Sequence, residues 1–546
     1  MALAAEQLID AAVRQRLIEA DTLAELRVEA RRKRVDLLAS IGAHYRLPLS
    51  AFYQAAAELR ELPFVNPISL TPPASLLKRI PQALARRKLI MPLEEKEGGV
   101  LVATADPDDR ATLDSLQRLF GQPIQLAVAE PEALNAAISR NLAAHTPGAA
   151  MAAPDTVTDT DLVELLNDIV KEAYLRRASD IHMMQEEHGL RVRLRVDGRL
   201  QDYHTDADAS VANGLISRVK VLSNLDIAEQ REPQDGGMSF YLAPPIDAEF
   251  NIRVATAPTR LGERVTMRLL GQEAETLTLT KIGMSDADMV EFRKAIRKPF
   301  GMILLTGPTG SGKSTTLFAA LQEIKSPELN IMTVEDPIEY VMDGISQIQT
   351  GHKISFAGAL RSLLRHDPDV LMVGEIRDEE TADVALKAAM TGHLVFSTLH
   401  TNTAAASITR LADIGSEPYL IGATMNAVIA QRLVRRLCPH CRSAKAATAE
   451  ERDLLDQDDK ETIIYEPVGC AACQGRGYRG RMGLFETLWF DENLSKLVSK
   501  GGSEEELEAM ALQCGRLKPM WRDGTIKVLA GETSLAELQN VAVKRH

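Results

Sequence analysis

The sequence has few aromatic residues, few cysteines and no long apolar run. Phe, Trp and Tyr make up 4% of its 546 residues, so the core must rely on aliphatic side chains. A membrane-spanning helix needs ~18 consecutive apolar residues, and no segment has them. Charged residues interrupt the apolar positions of Met1 to Asp21, which is not typical of a secretory signal. We therefore expect a cytoplasmic chain whose contact with a membrane is peripheral.

An excess of basic residues is also missing. The formal net charge is −13, with 76 acidic and 63 basic side chains. Neutralising phosphates requires Lys and Arg, so this balance counts against a protein that mainly coats nucleic acid. The hydrophobic content of 45% and charged content of 25% are typical of a globular protein.

The pattern of apolar and polar residues changes several times along the chain, which predicts several domains. Residues 1–60 show helical apolar spacing, and 61–142 read as a small α+β module with a Gly98-Gly99 hairpin turn. Residues 143–159 have no period and predict a linker. A second α+β domain is predicted over 160–272, and the nucleotide chemistry lies in 273–546, which ends in helices.

A phosphate-binding loop follows a predicted buried strand, Met302 to Leu305, and precedes a predicted helix. Its residues match G-x-x-x-x-G-K-[ST] and its contacts should extend one residue further: Gly307, Pro308, Thr309, Gly310, Ser311, Gly312, Lys313, Ser314 and Thr315. Glycines allow backbone N–H groups to surround phosphate oxygens, and the helix N-terminus favours negative charge. Lys313 is predicted to contact the β- and γ-phosphates of ATP, and the Ser314 hydroxyl to bind Mg²⁺.

Acidic residues follow two further predicted strands. Ile331 to Val334 leads to Glu335, Asp336 and Glu339, and Asp369 to Val373 leads to Gly374 and Glu375. Ligands bind at the carboxyl ends of parallel strands, so both groups should face the phosphates. One carboxylate should serve the metal and another the attacking water. The sequence does not divide these roles between Glu375 and Glu335 or Asp336.

Two histidines lie in Thr391 to His400, a strand pattern with polar ends. From these residues alone, His393 and His400 are more readily explained as ordinary core or surface histidines than as phosphate sensors.

Four of the five cysteines form two Cys-x-x-Cys pairs separated by 28 residues. Four thiolates suit tetrahedral Zn²⁺, which predicts a structural zinc subdomain over 436–482 with some structure between the pairs. The predicted ligands are Cys438, Cys441, Cys470 and Cys473. Redox-active or free thiols remain an alternative, and His440 is a competing ligand. Cys514 is predicted to be a buried core thiol.

Taken together, these motifs resemble the secretion ATPase superfamily, in the branch of type II secretion and type IV pilus assembly ATPases. The glycine-rich loop looks like its Walker A motif, and Glu335 to Glu339 like its Asp box. Leu371 to Arg377 looks like its atypical Walker B motif, and Thr391 to His400 like its His box. The paired cysteines are typical of assembly ATPases rather than retraction ATPases.

The resemblance implies a fold and a set of partners. It implies a RecA-like P-loop ATPase core, preceded by an α+β (PAS-like) domain and a further N-terminal α+β module, with a zinc-binding insert. Arginines of the second α+β domain reach the nucleotide in this family, and Arg231 and Arg253 are the best candidates. Glu335, Glu375, His393 and His400 would be catalytic. The chain would form a homohexamer that drives an inner-membrane platform protein, with its N-terminal domains docked on a membrane-anchored partner.

Some features depart from the family pattern or leave alternatives open. Gly237 stands where relatives often have arginine, and the repeated Arg-Leu-Gly motif of cyclic di-GMP binders is missing from the N-terminal domain. A nucleic-acid translocase with a zinc module is an alternative function, and a scaffold that binds ATP without hydrolysis is another. The secretion and pilus branches share all of these nucleotide and cysteine motifs, so the motifs do not choose between them.

Overall fold

The computed structural model describes residues 2–96, 98–143, 159–187, 189–205, 207–271, 278–351 and 353–544. The chain divides into two compact units, one built mainly from residues 1–272 and the other mainly from residues 273–546. The predicted linker, 143–159, falls almost entirely outside the described residues. Within the described ranges, no helix combines the length and apolar character needed to cross a bilayer.

The first unit contains helices and two sheets. Its helices are α1 (Ala5–Arg14), α2 (Ala20–Lys33), α3 (Leu37–Tyr45), α4 (Leu49–Leu59), α5 (Ala74–Leu77), α6 (Gln82–Lys88), α7 (Arg110–Phe120), α8 (Pro131–Ala143), α9 (Asp159–Leu175) and α10 (Ala209–Leu222). Its strands are β1 (Ile90–Lys96), β2 (Gly99–Thr104), β3 (Ile124–Val128), β4 (Ala178–Glu186), β5 (Gly189–Val196), β6 (Arg199–Tyr203), β7 (Gln234–Leu242), β8 (Ala248–Thr259) and β9 (Gly262–Leu269).

Strands β1, β2 and β3 form one sheet, in which β1 and β2 are the hairpin predicted at Gly98-Gly99. The other sheet is antiparallel, with strand order β6-β5-β4-β9-β8-β7. Apolar residues of β4, β5, β7, β8 and β9 pack with α9 and α10 into one core, as Val192 and Leu194 do on β5. The polar residues between them occupy the other face.

The second unit carries the nucleotide motifs. Its helices are α11 (Asp286–Ala295), α12 (Lys313–Ile324), α13 (Phe356–Leu363), α14 (Glu379–Met390), α15 (Ala404–Asp413), α16 (Pro418–Thr424), α17 (Ala449–Leu454), α18 (Glu492–Ser499), α19 (Glu504–Gln513), α20 (Met520–Leu529) and α21 (Leu535–Val541). Its strands are β10 (Gly301–Thr306), β11 (Ile331–Glu335), β12 (Ser346–Gln349), β13 (Val370–Val373), β14 (Leu394–Leu399), β15 (Met425–Leu437), β16 (Ser443–Ala446), β17 (Ile463–Glu466), β18 (Tyr478–Trp489) and β19 (Leu517–Lys518).

The main sheet of this unit has the order β12-β11-β13-β14-β10-β15-β18-β19. The first six strands are parallel, and β18 and β19 are antiparallel additions at one side. All six residues of β10 are buried, because each face of the sheet is covered. Met302 and Leu304 enter one core with α14, whereas Ile303 and Leu305 enter another with α12. Because the six strands run parallel, their carboxyl ends lie at one edge of the sheet.

The segment between the two cysteine pairs has structure of its own, as its length predicts. Strands β16 and β17 pair there as an antiparallel hairpin, with α17 between them.

The prediction for Cys514 is wrong. The thiol is exposed rather than buried. Cys514 is the C-cap residue of α19, and Leu507 and Ala511 are the residues of that helix that are buried. Cys514 directly follows Gln513, the last residue of the helix, and the chain turns away at Gly515, which has a left-handed φ of 65°.

Candidate nucleotide site and cysteine cluster

The predicted phosphate-binding loop, residues 307–314 and here called the P-loop, joins the carboxyl end of β10 to the N-terminus of α12. Gly312 is the N-cap residue of α12. Gly307 and Gly312 have φ angles of 145° and 88°, which L side chains rarely adopt. Space also requires glycine there. A Cβ on Gly307 would lie 2.4 Å from the Gln431 carbonyl oxygen, and one on Gly312 would lie 2.8 Å from Gln431 Nε2. The loop is therefore held against β15.

Lys313, the first residue of α12, is a buried cation inside this loop. Its Nζ donates to the carbonyl oxygens of Gly307 at 2.7 Å and Pro308 at 3.2 Å. Burial lowers the pKa of the Lys313 ammonium to about 8, against the opposing attraction of Glu375, and the Arg432 charge lowers it further. An anion within the loop would favour the charged lysine.

A buried hydroxyl in the P-loop also favours binding of an anion. Ser311 is 4% exposed, and its Oγ has no hydrogen-bond partner within the described part of the chain. Buried hydroxyls without partners are uncommon in folded proteins. Together with Lys313 and the N-terminus of α12, this donor makes the P-loop residues suited to a nucleotide phosphate.

Glu335 is the last residue of β11 and is 4% exposed. Its Oε1 accepts from Thr333 Oγ1 at 2.6 Å and from Gln347 Nε2 at 2.9 Å. Burial raises the pKa of the Glu335 carboxyl above its ordinary value, although both hydrogen bonds oppose the shift. A carboxylate with a raised pKa is suited to accepting a proton.

Glu375 follows β13, and its side chain is 14% exposed. It forms an ion pair with Arg377, and His400 Nε2 lies 3.5 Å from Glu375 Oε2. Two hydrogen bonds fix this segment to its neighbouring strands: Gly374 N donates to the Val334 carbonyl at 2.8 Å, and Thr398 Oγ1 donates to the Gly374 carbonyl at 2.7 Å. The structure thus brings Glu375 and His400 together.

The structure does not bring His393 to the P-loop. His393 precedes β14, whereas His400 follows it. Gly301, the first residue of β10, donates its N–H to the His393 carbonyl at 3.1 Å. The six residues of β14 span about 20 Å, so the two histidines lie at opposite edges of the sheet.

Arg231 and Arg253 belong to the first unit. Arg231 lies between α10 and β7, and Arg253 lies on β8. Both are exposed, and within the described ranges neither guanidinium forms an ion pair.

Gln431 is a neighbour of the P-loop that no sequence motif predicted. Gln431 is 2% exposed on β15, and its Oε1 accepts from Thr316 Oγ1 of α12 at 2.9 Å. It lies far along the chain from the loop and reaches it only because β15 pairs in parallel with β10. No motif or spacing marks such a residue.

The two cysteine pairs come together. The sulfur atoms of Cys438, Cys441, Cys470 and Cys473 all lie within 4.8 Å of one another. A tetrahedral zinc with Zn–S bonds of about 2.3 Å places its sulfurs about 3.8 Å apart, and the Cys470 and Cys473 sulfurs are 3.9 Å apart. The Gly477 N–H also donates to Cys473 Sγ at 3.1 Å. This donor set fits Zn²⁺.

A P-loop at the carboxyl edge of a largely parallel sheet, with acidic residues after the adjacent strands, defines the class of P-loop nucleotide-hydrolysing ATPases. The sequence matches the family described as Type II/IV secretion system protein over residues 155–540, and the MshEN domain over residues 60–147. The chain belongs to the type II/IV secretion system protein family and is an ATPase. The first of these matches covers both the second α+β domain and the nucleotide motifs.

Individual relatives agree with this assignment. The chain is 48% identical over 387 residues to the type II secretion system ATPase E of Vibrio cholerae, covering 70% of this chain and 76% of that protein. It is 38% identical over 504 residues to the type IV pilus assembly ATPase PilB of Myxococcus xanthus, covering 87% and 88%. The Legionella pneumophila ATPase DotB shares the fold, with a TM-score of 0.52 and 24% identity over 71% of this chain and 97% of that one. The predicted fold class and enzyme class are confirmed.

Proposed function

We propose that this chain is the hexameric assembly motor of a pilus or pseudopilus, working in the cytoplasm on an inner-membrane platform protein. The observation that carries the proposal is the P-loop, with its buried Lys313 and unpartnered Ser311 hydroxyl, at the same sheet edge as Glu335 and Glu375. The named functions of the relatives supply the process, since they are a secretion ATPase and a pilus assembly ATPase.

In this proposal ATP binds to Gly307 through Thr315. Backbone N–H groups of the loop and the Lys313 ammonium bind its phosphates, and release of Lys313 from the Gly307 and Pro308 carbonyls accompanies binding. Bound Mg²⁺ would supply a Lewis acid, held by the Ser314 hydroxyl and the Glu375 carboxylate, since oxygen ligands suit that ion.

Glu335 and Glu375 take different roles in the proposed hydrolysis. Burial raises the pKa of Glu335, which makes it the better general base for the attacking water. Glu375 forms an ion pair with the Arg377 guanidinium and lies beside His400. We assign it to the metal and His400 to positioning Glu375. Arg231 and Arg253 would stabilise charge on the transferred phosphoryl group.

The other domains would connect hydrolysis to the membrane. Residues 1–60 and 61–142 would dock a membrane-anchored partner, and 143–159 would link them to the second α+β domain over 160–272. The ATPase domain would occupy 273–546, and Zn²⁺ bound by the four cysteines would hold the 436–482 subdomain in shape. Hydrolysis would open and close the arginine-bearing domain against the ATPase domain.

The decisive experiment replaces the chromosomal gene with Lys313→Ala and compares surface pili and secreted proteins in one preparation. Loss of nucleotide binding should abolish assembly of the fibre. Lost pili with normal secretion would identify a pilus motor, and the reverse would identify a type II secretion motor. If both processes continue at the wild-type level, the proposal is wrong.

A further inference from the structure

A buried ion pair lies at the base of the segment that carries Arg231. Lys220, near the C-terminus of α10, has a side chain that is 1% exposed, and Glu263 of β9 has one that is 7% exposed. Lys220 Nζ lies 2.9 Å and 3.0 Å from the two Glu263 carboxylate oxygens. Burying such a pair is costly, and replacing both partners with apolar residues of similar volume often leaves stability unchanged.

The third hydrogen bond of Lys220 connects the buried pair to the chain between α10 and β7. Its Nζ donates to the Glu229 carbonyl oxygen at 2.6 Å. Glu229 lies in the segment 223–233 between α10 and β7, which we name the Arg231 loop. The ammonium has three N–H groups. The carboxylate of Glu263 and the carbonyl of Glu229 give all of them an acceptor.

The Arg231 loop is closed by hydrogen bonds from Glu229, inside the loop, and from Gln234, the first residue of β7. Glu229 Oε1 accepts from the Arg231 N–H at 2.5 Å and from the Glu232 N–H at 3.2 Å. Gln234 Nε2 donates to the carbonyls of Asp226 and Glu229, each at 3.0 Å. Glu229 therefore links the ion pair to the loop. Its carbonyl oxygen accepts a hydrogen bond from Lys220, and its carboxylate accepts one from the Arg231 N–H.

The loop is also restrained where it meets the sheet. A Cβ on Gly236 would lie 2.6 Å from the Ser223 carbonyl oxygen and 2.8 Å from Leu225 Cδ2. The first residues of the loop thus pack closely on β7. Arg231 is exposed, so its guanidinium is accessible, while its backbone N–H is bonded to Glu229 Oε1.

We propose that Lys220 and Glu263 are positioning residues for ATP hydrolysis, which hold the Arg231 loop so that Arg231 reaches the phosphoryl group. This inference rests on the role of Arg231 in the proposed function. A displacement of about 1 Å at a positioned catalytic group can cost about 100-fold in rate. A buried charge pair can supply this precision because its bonds are short and directional.

The test compares Lys220→Met/Glu263→Met with the wild-type chain. Removing both charges with side chains of similar volume avoids leaving one charge unpaired, so the domain should keep its melting temperature. Steady-state kinetics should show a kcat about 10- to 100-fold lower, with the KM for ATP changed less than about twofold. Hydrogen exchange at the Arg231 and Glu232 amides should become faster.

A charge-matched control is Arg260→Gln/Glu187→Gln in the same domain. That pair is exposed, with side chains 78% and 67% accessible, and among the described residues it forms no bond to the Arg231 loop. It should leave kcat and exchange in the loop unchanged.

Arg231→Ala separates this inference from the proposed function. If Lys220 and Glu263 act through Arg231, the triple variant should be no slower than Arg231→Ala alone. A folded Lys220→Met/Glu263→Met protein with wild-type kcat, or rate losses that multiply with Arg231→Ala, would overturn the inference and leave the role of Arg231 intact. Normal turnover in Arg231→Ala would overturn both.

Discussion

The environment of Lys313 makes its proton part of nucleotide binding. Burial lowers the pKa of this lysine to about 8, below the ordinary range of an ammonium. Phosphate binding needs the charged form. As pH rises through about 8, the free protein loses that proton and must recover it when ATP binds.

We therefore expect the affinity for ATP to fall about tenfold between pH 7 and pH 9. Isothermal calorimetry at pH 9 in two buffers with different ionisation enthalpies should give different binding enthalpies, because a proton is taken up. Equal enthalpies in the two buffers would show that Lys313 stays charged in the free protein.

The raised pKa of Glu335 predicts an acid limit to turnover. Glu335 must be deprotonated to act as a base, so kcat should fall as pH drops through a pKa above the ordinary glutamate range. Glu335→Gln should lower kcat by about 10²- to 10⁴-fold and abolish this acid limb, because an amide does not titrate. The exposed Glu328→Gln is the control and should keep the wild-type profile. An unchanged acid limb in Glu335→Gln would assign that limb to another group.

At the scale of elements, the cysteine cluster offers a test of metal dependence. Cys470→Ser removes one of four converging sulfurs and should release zinc, measurable by mass spectrometry of the purified protein. Structural zinc contributes about 10 kcal/mol to folding of small zinc domains, so the melting temperature should fall. Cys514→Ser is the matched control, because that thiol is exposed and outside the cluster. Wild-type protein that purifies without zinc and is indifferent to chelators would contradict the assignment.

At the scale of the whole molecule, the proposed motor should form a closed ring. Sedimentation with a non-hydrolysable ATP analogue should give a species of six times the 59.8 kDa chain mass. Ring closure uses the same head-to-tail contact at every subunit, so intermediate sizes should be rare at saturating nucleotide. Lys313→Ala should shift the population towards smaller species. A chain that stays monomeric with nucleotide bound would contradict the ring.

Local sequence determined the nucleotide machinery. The strand, glycine loop and helix around Lys313 are contiguous, and the acids follow buried strands directly, so each piece can be read within a short window. The family follows from the same motifs, because their order and spacing are specific. The hairpin at Gly98-Gly99 is equally local, since turn chemistry depends on adjacent residues.

Tertiary structure decided what depends on pairing between distant segments. Gln431 contacts the P-loop only because β15 pairs with β10 in the observed register. His393 and His400 lie at opposite ends of β14, so the length of that strand keeps them apart. Lys220 and Glu263 meet because α10 packs on the sheet that contains β9, and no spacing in the chain announces that contact. The apolar pattern does not show that α19 ends just before Cys514 and leaves its thiol exposed. The end of a helix depends on how the following chain packs.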